Sequence, residues 1–287
     1  MKMPDYLKEE ALNKFIDDAL REDIGRGDHS TLAVVPKNKF SKAKLISKNN
    51  GTIAGVELAI KIFRRFDSNL KITSSKNDGD KVSSGDIILM VEGPARSIIS
   101  TERLVLNCMQ RMSGIASYTR QLREMIQGTQ AQLMDTRKTT PNFRMMEKWA
   151  VLIGGGLNHR FALYDMIMLK DNHIDLAGGI AAAIEGATKY LNDNHLNLKI
   201  EVETRTMKEV EEVVRVGGVD IIMLDNMSLK DLKKAVELIG GRFKTEASGG
   251  ITESTLIEVA KTGVDYISIG ALTHSVKSLD LSLKVTE

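Results

Sequence analysis

The sequence predicts an α/β protein, in which a partial (β/α) barrel of about six parallel strands, TIM-like in pattern, follows an N-terminal α+β sandwich domain. The chain has 287 residues, more than the ~150 typical of one domain. From residue 132 onward, short β-type runs alternate with helical patterns, which indicates parallel βαβ units. Before that point strands and helices do not alternate strictly, which is typical of an α+β layer.

The N-terminal domain is predicted to begin with a helix, because apolar residues from Leu7 to Leu20 recur at helical spacing. A loop is expected at 25–29. Strands are predicted near 43–47, 71–74 and 86–91, and helices near 56–66 and from about 96 to 126. The alternating tail 280–285 is expected to return to this domain as a strand. The predicted domains are therefore 1–112, joined by the tail 275–287, and 113–274.

The barrel domain is predicted from six β-type runs and the helical patterns between them. Six such units favour a barrel over an open sheet. The strands are expected at 132–135, 166–169, 199–203, 220–224, 243–247 and 265–269, and the helices at 143–152, 176–191, 207–216, 229–239 and 253–261.

Composition and charge narrow the classes of partner. The 40 basic and 38 acidic residues leave a net charge of +2, which argues against nucleic acid as a partner. No run of ~18 uncharged apolar residues is present, so no membrane partner is expected. Cys108 is the single cysteine and the N-terminus lacks the apolar core of a signal peptide, so we expect a reducing, cytoplasmic setting. Any affinity for anions must therefore be local.

Charged residues stand at the carboxyl ends of the predicted barrel strands. Buried parallel strands normally read as continuous apolar runs, and the carboxyl-terminal rim of a barrel is where catalytic loops lie. One such residue could be only a solvated loop charge, but the pattern recurs along successive strands. The sequence therefore predicts an enzyme rim, with charges at Asp135, Lys170, Glu201, Glu203, Asp225 and Glu246.

The predicted rim has a basic half and an acidic half. The segment 136–144 carries three basic residues and no acidic one, and His159, Arg160 and Lys170 add to it. Clustered arginines favour an anionic ligand with several negative groups, although exposed bases at a helix start would look similar. Glu203 and Asp225 suit magnesium, a polyol or a cationic transition state, and a salt bridge to a rim lysine is the competing interpretation.

Glycines at the ends of the last two predicted strands indicate a phosphate site. Ser248-Gly249-Gly250 and Ile269-Gly270-Ala271 occupy the places where phosphate-binding barrels present backbone N–H groups. The triplet at 154–156 does not immediately follow a strand, so it is no dinucleotide fingerprint. The five histidines lack metal-ligand spacing, and structural zinc is not expected.

The motifs DTRKTTP, GGGLNHR, LKDNHI, EVE, LDN, EASGGI and GVDYISIGALTHS, in this order, closely resemble the quinolinate phosphoribosyltransferase family. REDIGRGDHST and ERLVLNCMQRMSGIAS extend the resemblance from about residue 5 to residue 280. The resemblance implies phosphoribosyl transfer from phosphoribosyl pyrophosphate to the quinolinate nitrogen. Carbon dioxide and pyrophosphate would leave, giving nicotinate mononucleotide for NAD synthesis.

The resemblance also implies residue roles. Arg137, His159 and Arg160 would bind the two quinolinate carboxylates, with Thr136 and Lys138 alongside. Arg103 would reach the site of a neighbouring subunit, which implies a homodimer and leaves a higher oligomer open. Alternation cannot separate Glu201 from Glu203, because both point the same way; the resemblance favours Glu203. The catalytic and phosphoribosyl pyrophosphate residues would be Lys138 and Lys170 at the pyrophosphate, Glu203 and Asp225 at the ribose and magnesium, and Ser248, Gly249, Gly250, Ile269, Gly270 and Ala271 at the 5′-phosphate.

Two residues depart from the family pattern, and three alternative functions stay open. Asn142 and Ala162 stand where glycines are expected, which puts loop geometry and rate in doubt. A paralogue could act on a related pyridine carboxylate, or be the family's molybdenum-associated relative, although a monocarboxylate would leave arginines unpaired. A barrel lyase could use Lys170 as a Schiff-base nucleophile. A silent anion-binding protein would bind these ligands without turnover.

Overall fold

Two large sheets, one antiparallel and one parallel, organise the chain. The computed structural model describes residues 4–286. Its helices are α1 (Glu9–Ile24), α2 (His29–Val34), α3 (Val56–Phe66), α4 (Ala95–Met125), α5 (Arg144–Ile153), α6 (Asp171–Ala177), α7 (Ile180–Asp193), α8 (Met207–Val216), α9 (Leu229–Ile239), α10 (Glu253–Ala260) and α11 (Ala271–His274). Its strands are β1 (Phe40–Ser47), β2 (Gly51–Thr52), β3 (Lys71–Ser74), β4 (Lys81–Val82), β5 (Ile87–Pro94), β6 (Gln132–Met134), β7 (Ile167–Leu169), β8 (Ile200–Thr204), β9 (Ile221–Asp225), β10 (Lys244–Ser248), β11 (Tyr266–Ser268) and β12 (Leu281–Val285).

The first of two units contains the antiparallel sheet. It comprises the described parts of Met1–Arg120, Thr139–Gly155 and Thr273–Glu287. The sheet runs β12-β1-β5-β3, and alternate residues of β1 are buried, as expected for a strand with one face on a core. β12 pairs with β1 from Ala43↔Val285 to Ser47↔Leu281, so the tail belongs to this sheet. The predicted domain limits at 112/113 and 274/275 stay a prediction.

The second unit, Gln121–Lys138 and Gly156–Leu272, contains the parallel sheet. Its six strands run β6-β11-β10-β9-β8-β7, with β6 and β7 at the two edges. The strands alternate with helices, and β9 is buried along its first four residues, which is the continuous apolar pattern of a parallel strand covered on both faces. The predicted fold class, a six-stranded partial barrel with an α+β domain, is confirmed.

Several local predictions are wrong for identifiable reasons. The single helix predicted at 176–191 is two helices, α6 and α7, because Gly178 and Gly179 adopt φ values of 89° and 128° that interrupt the helical path. The predicted loop at 25–29 ends one residue early, because the Asp28 side chain accepts a hydrogen bond from the Thr31 N–H and starts α2. The four-residue helix α11 was not predicted. Within residues 4–286, no helix has the length and apolar character needed to cross a bilayer.

Candidate active site

The parallel pairing of the second unit brings the predicted rim residues to one edge of its sheet. Glu203 is in register with Met223, and Asp225 with Ser248. Lys170 directly follows β7, and Thr136 lies two residues beyond β6. Because parallel strands end on the same side, side chains from five strands are gathered along this edge.

Arg137 and Arg160 form the centre of the basic half. Burial, followed by the positive charge of Arg137, lowers the pKa of Arg160. The Arg160 guanidinium also donates to the Met166 carbonyl at 3.3 Å. Two adjacent cations in a partly desolvated place are favourable for binding an anion with more than one negative group.

A buried aspartate fixes the loop that carries Arg160. Asp135 is fully buried, and its carboxylate accepts hydrogen bonds from the His159 N–H at 2.9 Å and the Asn158 side chain at 2.6 Å. The Leu157 N–H donates to the Leu133 carbonyl at 2.8 Å, which joins the same loop to β6. Sequence reasoning noted Asp135 only as a strand-end charge; its place at the end of a buried strand, next to the basic segment, was the signal for this structural role.

Beneath the basic half lies a buried cluster of one histidine and two glutamates. His159 Nε2 lies 2.9 Å from Glu201 Oε2 and 3.6 Å from Glu246 Oε2. Desolvation raises the pKa of both glutamates, and the charge of Glu201 raises that of Glu246 further. The ligand atoms of the three residues lie within 4.8 Å of one another, a spacing that a metal ion could also use. Glu201 is fully buried whereas Glu203 is only partly so, so depth separates the two residues that alternation could not.

Glu203 and Asp225 form the acidic half. Burial, followed by the negative charge of Asp225, raises the pKa of Glu203, while Lys170 acts in the opposite direction. Asp225 Oδ2 also accepts a hydrogen bond from the Asn226 side chain at 2.7 Å. Paired carboxylate oxygens are the ligands that magnesium prefers, and they can also accept from vicinal hydroxyl groups, so the residues present fit either group.

The glycine-rich turns after β10 and β11 have the backbone that close approach to a ligand requires. Gly249 and Gly250 adopt φ values of 88° and 62°, in the region that glycine enters without a Cβ penalty. Asn226 N–H donates to the Ser248 carbonyl at 2.9 Å and holds the start of this turn against the end of β9. Gly270 separates β11 from α11, with Ile269 before it and Ala271 after it.

The predicted residues Thr136, Lys138, Lys170 and Arg103 have exposed or locally bonded side chains. Thr136 Oγ1 accepts from the Lys138 N–H at 3.0 Å, and the Lys138 and Lys170 side chains are exposed. Arg103 is exposed on α4, in the first unit.

Asn142 adopts φ 61°, a left-handed conformation that asparagine tolerates better than other non-glycine residues. Ala162 donates its N–H to Asp165 at 2.8 Å within a local turn.

Comparison with known proteins covers almost the whole chain. The family model "Quinolinate phosphoribosyl transferase, C-terminal domain" matches residues 115–284, and the corresponding N-terminal domain matches 28–113. Quinolinate phosphoribosyltransferase [decarboxylating] 2, mitochondrial, of Nicotiana glauca is 48% identical over 282 residues, 93% of this chain and 80% of that protein. The chloroplastic nicotinate-nucleotide pyrophosphorylase [carboxylating] of Oryza sativa subsp. japonica is 47% identical over 289 residues, 96% of this chain and 77% of its own.

Solved structures also match this chain over almost its whole length. The crystal structure of NadC from Streptococcus pyogenes matches with a TM-score of 0.92 and 42% identity, covering 98% of both chains. The nicotinate-nucleotide pyrophosphorylase from Francisella tularensis matches with a TM-score of 0.91 and 36% identity, again over 98% of both chains.

Proposed function

The chain belongs to the quinolinate phosphoribosyltransferase family, and from that premise we propose that it transfers the phosphoribosyl group of phosphoribosyl pyrophosphate to quinolinate. Decarboxylation follows, giving nicotinate mononucleotide, pyrophosphate and carbon dioxide for NAD synthesis. One observation carries this proposal beyond family membership. Arg137 and Arg160 are both half-buried and follow the strand ends on one edge of the parallel sheet, and their paired positive charges suit a ligand with two neighbouring carboxylates.

Quinolinate is proposed to bind in the basic half of the rim. Arg137 and Arg160 would each pair with one carboxylate, and Thr136 and Lys138 would complete the pocket. A monocarboxylate would leave one half-buried guanidinium poorly compensated, which disfavours a paralogue specific for such a substrate.

Phosphoribosyl pyrophosphate is proposed to bind across the rest of the rim. Lys138 and Lys170 would face the pyrophosphate, and Glu203 and Asp225 the ribose hydroxyls. Magnesium, held at Glu203 and Asp225 directly or through the substrate, would supply charge neutralisation of the leaving group. The 5′-phosphate would lie on the turns formed by Ser248, Gly249, Gly250, Ile269, Gly270 and Ala271, where backbone N–H groups can approach it.

The charges of the two halves suit the two chemical steps. Departure of pyrophosphate leaves cationic character on the ribose, which the carboxylates of Glu203 and Asp225 can stabilise. After transfer, the positively charged pyridine nitrogen stabilises the carbanion left when carbon dioxide departs. The residues then need mainly to hold two anionic substrates in register and to exclude water.

A homodimer is proposed as the working form, with Arg103 of each chain entering the site of its neighbour. The exposed position of Arg103 on α4 leaves its guanidinium accessible to a second chain. We also propose a reducing compartment, the cytoplasm, because the single cysteine has no partner for a disulfide within the chain. Fractionation of the source cells would test that location.

The activity is tested by incubating the purified protein with quinolinate, phosphoribosyl pyrophosphate and magnesium. We expect nicotinate mononucleotide, together with labelled carbon dioxide from carboxyl-labelled quinolinate. Binding of both substrates without product would instead indicate a silent anion-binding protein. Borohydride trapping of a carbonyl substrate on Lys170, with no mononucleotide formed, would indicate a Schiff-base lyase.

A further inference from the structure

The buried cluster of His159, Glu201 and Glu246 has no role in the proposed contacts with phosphoribosyl pyrophosphate. The side chains are 6%, 0% and 0% exposed. Burying two carboxyl groups beside an imidazole is costly unless they satisfy one another. A costly buried cluster of this kind, next to Arg160 in the sequence, is expected to have a functional role.

The topology of the sheet explains how these groups meet. Glu201 belongs to β8 and Glu246 to β10, which are separated by β9 and aligned with Ile221 and Met223 respectively. In barrel interiors, each layer of side chains comes from alternate strands, so residues of β8 and β10 share a layer. His159 reaches them from a loop that Asp135 holds by its backbone.

The hydrogen bonds of His159 define its tautomer. The Arg160 N–H donates to His159 Nδ1 at 2.7 Å. A backbone N–H can only donate, so Nδ1 carries no proton and the neutral ring carries its proton on Nε2. Nε2 lies 2.9 Å from Glu201 Oε2, close enough for the carboxylate to attract the proton on Nε2. The neutral ring therefore adds no positive charge to the pocket.

We propose that Glu201 and Glu246 are positioning residues that orient the His159 ring, which in turn fixes the backbone of Arg160 for binding a carboxylate of quinolinate. The order of contacts is Glu246 to Glu201, Glu201 to Nε2, and Nδ1 to the Arg160 N–H. His159 then acts on the substrate through Arg160 rather than by direct contact. This role rests on the proposed function, in which Arg160 binds a carboxylate of quinolinate.

The contact of Glu246 with Glu201 gives the second glutamate a part in this arrangement. Ligand atoms of the two glutamates lie within 4.8 Å of one another, so their side chains are neighbours in the interior. Glu246 also lies 3.6 Å from the same histidine nitrogen. Glu246 therefore limits the space open to the Glu201 side chain, which keeps Glu201 Oε2 close to Nε2.

Steady-state kinetics with substitutions at Glu201 test the proposal. In Glu201→Met, which keeps the length of the side chain but cannot accept from Nε2, the KM for quinolinate should rise by about tenfold or more, whereas the KM for phosphoribosyl pyrophosphate should change by less than about twofold. Glu201→Gln restores an acceptor oxygen and should recover most of the quinolinate KM. Rescue by the amide separates positioning from a general loss of stability.

Thr204→Val provides the matched control. Thr204 is also fully buried on β8, and its hydroxyl donates to the Met223 carbonyl at 2.8 Å, outside the cluster. The variant should leave both KM values unchanged. Equal rises in both KM values for Glu201→Met, or an unchanged quinolinate KM, would overturn the positioning role. Absence of turnover in the wild-type protein would instead refute the proposed function, so the two failures are distinguishable.

Histidine ¹⁵N NMR gives a readout that does not depend on activity. The His159 resonances, assigned with His159→Gln, should show a pyridine-type Nδ1 and a pyrrole-type Nε2. The opposite tautomer, an imidazolium, or a stoichiometric metal ion found by elemental analysis of protein purified without chelators would each contradict the proposed contacts.

Discussion

We expect discrimination between the two proposed substrates to depend most directly on Arg137. A bidentate guanidinium–carboxylate pair in a partly desolvated pocket is strong and specific in geometry. Arg137→Ala should therefore weaken quinolinate binding by about a hundredfold or more, while phosphoribosyl pyrophosphate binding changes by only a few fold.

Separate calorimetric titrations of each ligand check this expectation. Arg137→Lys is the informative companion, because it keeps the charge and loses the planar pair of donors, and it should fall between the wild type and the alanine variant. Equal losses for both ligands in Arg137→Ala would show that the two substrates share this residue and that the role assignment is mistaken.

Glu246 makes the stability of the protein depend on pH. Burial raises its pKa from 4.5 to about 8, and the charge of Glu201 contributes further in the same direction. Between these values the folded protein keeps a proton that the unfolded chain has lost, so the free energy of unfolding falls as pH rises. Glu246→Gln removes this proton, and its stability relative to the wild type should increase by up to ~1.4 kcal/mol per pH unit.

Urea unfolding of both proteins from about pH 5.5 to about pH 7.5 measures the difference. Glu201 titrates with the same sign and is coupled to Glu246, so the difference between the two proteins measures the change in titration of the pair. A stability difference that stays constant with pH, or shrinks as pH rises, would mean that Glu246 is ionised in the folded state.

At the residue scale, the sequence indicated which side chains gather but not at what depth. Glu201 and Glu203 are two positions apart on one strand and share a face, and only the three-dimensional packing of β8 places the first in the interior and the second nearer solvent. Asp135 was visible as a strand-end charge, but its hydrogen bonds to the loop at 158–159 depend on a contact between segments distant in sequence.

At the scale of elements, the turn between β10 and α10 combines backbone strain with tight packing. At Gly249, φ is 88°, and a Cβ would meet the side chain of Asn226, including its Cγ at 2.5 Å. Gly249→Ala should therefore destabilise the protein by about 1–3 kcal/mol. It should also raise the KM for phosphoribosyl pyrophosphate more than the KM for quinolinate, because the turn carries the proposed phosphate site.

Gly241→Ala separates these two effects. Gly241 has a similar φ of 75°, but no atom lies within 4 Å of its added Cβ. This variant should show only the smaller cost of strain, about 1 kcal/mol, and no change in either KM. Thermal unfolding together with the two KM values decides the matter; if both variants behave alike, Asn226 moves aside and the turn is not tightly specified.

Elements with a long, regular apolar pattern were the ones that the sequence predicted well. The bounds of α3, α8 and α9 are those read from the spacing of their apolar residues. The short helices α2 and α11 were missed, because fewer than two turns leave little periodicity to detect. α6 was merged in part with α7, since the pattern continues across Gly178 and Gly179 while the backbone does not.

At the scale of the whole molecule, the alternation of strands and helices was sufficient to predict a six-stranded parallel sheet, because a parallel pair requires a crossover connection. The resemblance to a known family then indicated two things that periodicity could not, the identity of the substrates and the role of Arg103. No pattern in a single chain states which residues enter a second chain, so the dimer is a matter for experiment.

Mixing two inactive variants tests the proposed dimer. Arg103→Ala and Arg137→Ala should each have very little activity, the first because it removes a residue from the neighbour's site and the second because it damages the chain's own site. In a mixed dimer, one site combines both defects, and the other is intact. Random exchange of subunits in a one-to-one mixture makes about half of the dimers mixed, each with one working site, so about a quarter of the wild-type activity should return.

Arg137→Ala mixed with Lys170→Ala is the control for this complementation. Both changes lie in the second unit of their own chain, so each site of a mixed dimer carries one defect and no activity should return. If the Arg103→Ala and Arg137→Ala mixture also stays inactive after subunit exchange, confirmed by mass-tagged chains, then Arg103 serves the site of its own chain. Activity can return only if Arg103 of one chain completes the site of the other chain. A dimer detected by sedimentation without such recovery would therefore contain two independent sites.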